Sequence, residues 1–138
     1  LPYADGLSFL RECRRVIKSD GAMRVIVPDA RKLIDAYNLS GALGEYGHIN
    51  DGCSDSETDM GKLWSLLFAG HFAGYDADTL LSYLGKAGFK SRISPFRGII
   101  SDDWADEPAF SKHAGLRQIL RETLDVLPSL SLYAVAVP

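Results

Sequence analysis

No run of apolar residues in this sequence approaches the length that spans a bilayer, so a membrane-inserted helix is not expected and the chain should be soluble. Cysteine is nearly absent. Cys13 and Cys53 are the only two, too few for a disulfide framework, and Cys13 falls on the apolar stripe of a helix where a thiol behaves as a small hydrophobe. A reducing cytoplasm is the expected setting. An excess of positive charge is also lacking: 15 Lys and Arg against 18 Asp and Glu leave a formal charge of −3. With a pI near 5.5 there is no broad basic surface to neutralise phosphates, and the small patch Arg11, Arg14, Arg15 and Lys18 reads as a solvated helix face. No nucleic-acid partner is expected. The GxSxG elbow of a nucleophilic hydrolase is missing, and His48, His71 and His113 stand too far apart for zinc-ligand spacing. The opening "LPYADG" has neither the charged segment nor the apolar run of a signal peptide. It also lacks an initiator methionine, which implies either a longer gene product or processing.

What the sequence does contain is the composition of an ordinary globular protein, 46% hydrophobic and 24% charged, in a length of 138 residues that fits one domain. Residues 6 to 18, "GLSFLRECRRVIK", set Phe9, Leu10, Cys13, Val16 and Ile17 at three- and four-residue spacings and predict a one-sided helix. "KSDG" stops it, with Gly21 placed to take the positive φ of a helix C-terminal cap. "MRVIVP", residues 23 to 28, lacks clean alternation and predicts a strand covered on both faces, ended by Pro28. Asp29 then caps a second helix carrying Leu33, Ile34 and Tyr37 on one side. From residue 39 to about 58 a Gly-, Ser- and Asp-rich stretch reads as a long surface excursion.

Residues 60 to 73 regain helical spacing through Leu63, Trp64, Leu67 and Phe68, which predicts a buried helix. "YDADTLLSYLGKAGF" predicts another, with Asp76 as cap, Leu80, Leu81 and Leu84 inward, and Gly88 as stop. A strand follows at about 90 to 95, a second polar excursion at 97 to 115, a helix on Leu116, Ile119, Leu120, Leu124 and Leu127, and a closing strand at 131 to 137. The reading is α/β: a small mixed sheet of about three strands with flanking helices, residues 1–138 forming one domain without internal repeat or linker.

Three segments together, "LSFLRECRRVIKSDGAMRVIVPDARKLIDAY", "HFAGYDADTLLSYLGKAGF" and "SLYAVAV", resemble the C-terminal half of class I S-adenosylmethionine-dependent methyltransferases, in particular the bacterial predicted-methyltransferase group. The resemblance covers roughly residues 1 to 38, 71 to 96 and 130 to 137. It implies a partial Rossmann-like methyltransferase fold in which the last strand runs antiparallel between the family's fifth and sixth, giving the spatial order 23 to 28, then 131 to 137, then 90 to 95. In that family S-adenosylmethionine is held mainly by the other half, through a glycine-rich loop and an acidic residue on the ribose hydroxyls. This sequence contains no GxGxG; Gly41 and Gly44 follow no strand, and Gly70 and Gly74 flank a histidine. The resemblance thus implies that the cofactor-binding half lies ahead of residue 1 and that this chain alone binds no cofactor; separately, the spacing of its acidic residues and histidines predicts no metal site. A methyl acceptor, small or macromolecular, is the implied substrate.

His71, Tyr75 and Asp29 are the candidate catalytic residues. By resemblance they sit at the carboxyl ends of the strands, where a histidine can act as base toward a methyl-accepting nucleophile. The plainer reading gives His71 a loop carbonyl, Tyr75 a packing role, and Asp29 and Asp76 helix caps. The acidic runs Asp51, Asp55, Glu57, Asp59 and Asp102, Asp103, Asp106, Glu107 follow no EF-hand spacing. Trp64 and Trp104 read as packing residues. The alternative to a methyltransferase portion is a non-catalytic interaction or assembly module derived from the same fold. A strand at 23 to 28 without its outer neighbour predicts a homo-oligomer formed through that edge or through bare helix faces.

Overall fold

The computed structural model describes residues 2–39, 43, 58–68, 74–94 and 131–138. Their elements run α1 (Tyr3–Val16), β1 (Met23–Pro28), α2 (Ala30–Asn38), α3 (Asp59–Phe68), α4 (Ala77–Lys86), β2 (Lys90–Ser94) and β3 (Ser131–Val137). The helix expected on Leu116 to Leu127 and most of the two polar excursions lie outside the described residues.

The last strand occupies the middle of the sheet. β3 pairs antiparallel with β1, from Met23↔Ala136 to Pro28↔Ser131, and antiparallel with β2, from Lys90↔Val137 to Ser94↔Tyr133, so the order is β1-β3-β2. Both ladders being antiparallel, the sheet is not mixed as expected, although β1 and β2 point the same way because β3 separates them. β3 is buried from Ser131 to Ala136, whereas β1 is half-buried from Met23 to Val27 and exposed at Pro28. Among the described residues β1 lies at the edge of the sheet, and Met23, Val25 and Val27 pack against the core.

On that face α1 and α4 close a core of Leu10, Leu80, Leu84, Phe89, Leu132, Ala134 and Ala136. Ala134 and Ala136, both fully buried, leave room in mid-sheet for the leucines of α4. A second cluster of Leu33, Leu43 and Leu66 joins α2 to α3.

Two overlapping stripes run along α1, and the core takes the one through Leu7, Leu10, Cys13 and Ile17. Phe9 and Val16, expected inward, are exposed. Trp64, also expected in the core, is 56% exposed, and the buried apolar residue of α3 is Leu66, next to the buried Ser65; Leu81 is only half-buried.

α4 ends as its sequence indicates. Gly88 has φ +93°, its N–H donates to the Gly85 carbonyl, and the Phe89 N–H donates to the Leu84 carbonyl, a complete Schellman motif sealed by Phe89 and Leu84 in the core. Gly21 differs from expectation. It does not take a positive φ, and α1 has already ended at Val16, with Ile17 extended. The glycine serves a close approach instead: a Cβ there would lie 2.8 Å from Ile17 Cγ1 and 3.1 Å from the Lys18 carbonyl oxygen.

Candidate functional site

Pro28 ends β1, and the next residue opens α2. Asp29 is 7% exposed, and its Oδ1 accepts from the backbone N–H of Arg31 at 3.1 Å and of Lys32 at 3.4 Å. It is the N-cap that its position after the strand requires. Its other oxygen lies 4.0 Å from Lys32 Nζ, which donates to the Ser131 carbonyl at 2.7 Å and ties α2 to the start of the central strand.

Tyr75 meets Asp29 backbone to backbone. The two form an isolated parallel bridge in which the Ala30 N–H donates to the Tyr75 carbonyl at 2.9 Å. The following residue, Asp76, caps α4 by accepting from the Thr79 N–H at 2.9 Å. Hydrogen bonding from the Thr79 side chain first, then from its backbone N–H, and only to a smaller degree the Arg31 charge, hold the Asp76 carboxyl below the usual carboxylate range. Two capped helix N-termini are thus fixed side by side just past the carboxyl end of β1.

The Tyr75 ring turns away from this junction into a trio with Tyr3 and Tyr83, centroids 5.2 to 6.2 Å apart. Tyr3 Oη donates to the Gly74 carbonyl at 2.6 Å, so the trio also pins the start of α1 to this edge. Burial, and after it the neighbouring phenols, raise the Tyr75 pKa. It is a neutral phenol at physiological pH, able to donate a hydrogen bond but not to act as a base.

Of the three candidate catalytic residues, then, the structure brings Asp29 and Tyr75 together, and through their backbones rather than their functional groups. His71 lies outside the described residues. The arginine patch on α1 is largely engaged in structure: Arg14 Nε donates to the Gly88 carbonyl at 3.0 Å, and Arg15 pairs with Glu12. Of the two acidic runs only Asp59 is described, beside Lys62, and no group of three metal-ligating side chains occurs among the described residues.

A cleft of about 290 Å³ opens between α2 and α4. Ala30, Arg31, Ile34 and Asp35 line it from one side, and Gly74, Asp76 and Thr79 from the other. Arg31 Nη2 lies 3.9 Å from Asp76 Oδ2, too far for a hydrogen bond. Arg31, Asp35 and Thr79 were not legible as site residues, because only the non-local bridge at Asp29 brings α2 against α4. At the carboxyl end of β2 the Ser94 hydroxyl is buried without a hydrogen-bond partner among the described residues.

The residues at this edge do not fit S-adenosylmethionine. The sequence has no GxGxG loop, and the one glycine lining the cleft, Gly74, would hold a Cβ at an ordinary 3.8 Å from the Ala30 Cβ, so its backbone makes no close approach that glycine alone permits. Asp29 and Asp76, which could serve ribose hydroxyls, are committed to their caps.

Comparison with protein-family models, with curated proteins and with solved structures returned no match. Among the described residues no helix is long and apolar enough to cross a membrane.

Proposed function

We propose that this chain is the substrate-side portion of a Rossmann-like methyltransferase domain, whose parent transfers the methyl group of S-adenosylmethionine to an O, N or C nucleophile. The observation that carries the reading is the strand order β1-β3-β2 with β3 antiparallel to both neighbours. This is the arrangement that the resemblance implies for the family's fifth, last and sixth strands. A chain that merely alternated helices and strands would favour sequential neighbours and parallel ladders; inserting the last strand between the first two is a particular topology. The capped junction after β1 gives further support, since open α/β sheets bind ligands beyond the carboxyl ends of their strands.

In this reading the chain's contribution is positional. Asp29 and Asp76 fix the starts of α2 and α4, and the bridge between Asp29 and Tyr75 fixes their separation. Placing a nucleophile in line with a reacting centre supplies much of the rate enhancement in such transfers, and few diagnostic side chains are needed. The reading frame ahead of Leu1 tests it. A strand followed by a GxGxG turn is expected there, and a frame without one would sink the reading.

A second reading, a non-catalytic assembly module acting as a homo-oligomer in the cytoplasm, is favoured by the edge position of β1. Its hydrogen-bonded partner among the described residues is β3 alone, and its apolar residues are only half-buried.

A further inference from the structure

We draw no further inference here: the strongest candidate, the buried Ser94 hydroxyl at the carboxyl end of β2, set across the ladder from Tyr133, carries nothing, because nothing among the described residues shows what ligand it would meet.

Discussion

Asp29 and Tyr75 are joined by a single parallel bridge, closed by the 2.9 Å hydrogen bond from the Ala30 N–H to the Tyr75 carbonyl. Each stands at the threshold of a helix, so this one contact sets two helix starts in register. Lys32, bonded to the Ser131 carbonyl, anchors the pair to the central strand. The geometry of the cleft is therefore held by backbone and caps, not by the side chains that line it.

The cap at Asp29 is expected to dominate the stability of this edge. Asp29→Ala should destabilise the chain by about 1–2 kcal/mol in urea denaturation, because the Arg31 and Lys32 N–H groups lose their acceptor. Asp29→Asn should recover most of that, since asparagine caps equally well. An alanine variant as stable as the parent would mean the cap is not formed.

Asp76 gives a pH dependence of known sign. Its folded pKa is depressed, chiefly by the Thr79 hydrogen bonds, so its contribution is present above the ordinary value of 3.8 and is lost as pH falls through the folded pKa. Thermal midpoints measured from pH 7 down to about 2 should show a decline below the ordinary carboxylate pKa that Asp76→Asn reduces. A variant with the same acid limb as the parent would contradict the assignment.

Two glycines in one helix end should respond with opposite signs. Gly88 holds φ +93°, so Gly88→Ala should cost about 1 kcal/mol. Gly85, inside α4 with open space around its missing Cβ, should gain roughly 0.5–1 kcal/mol on replacement by alanine. Denaturation midpoints moving in the same direction would show that the Schellman geometry is absent.

Much of this was legible because its causes are local. Asp76, Leu80, Leu84 and Gly88 sit in one contiguous segment, where cap, apolar spacing and stop all act within a few residues. Gly21 was misread because a glycine after a turn signals a positive φ and a close backbone approach in the same way. On α1 the stripes through Phe9 and Val16 and through Leu10 and Ile17 share Cys13, and only the position of α4 and the sheet decides between them. Trp64 shares the helical spacing of Leu63 and Leu67, yet α3 turns Leu66 toward α2 and leaves Trp64 exposed. The cleft depends on a contact between segments distant in sequence, and no periodicity reports such a contact.

The assembly reading predicts self-association through β1. If β1 pairs with a second copy, sedimentation velocity should show a dimer at high concentration, and Ile26→Lys should shift it toward monomer by placing a charge on the exposed edge. A monomer at all concentrations would remove the assembly reading.

Calorimetric titration with S-adenosylhomocysteine tests the central claim most directly, performed on the 138-residue chain and on the gene product with whatever its reading frame encodes ahead of Leu1. The chain alone should give no binding heat, and the longer protein should bind at micromolar strength. Micromolar binding by the chain alone, or none by the longer protein, would contradict it.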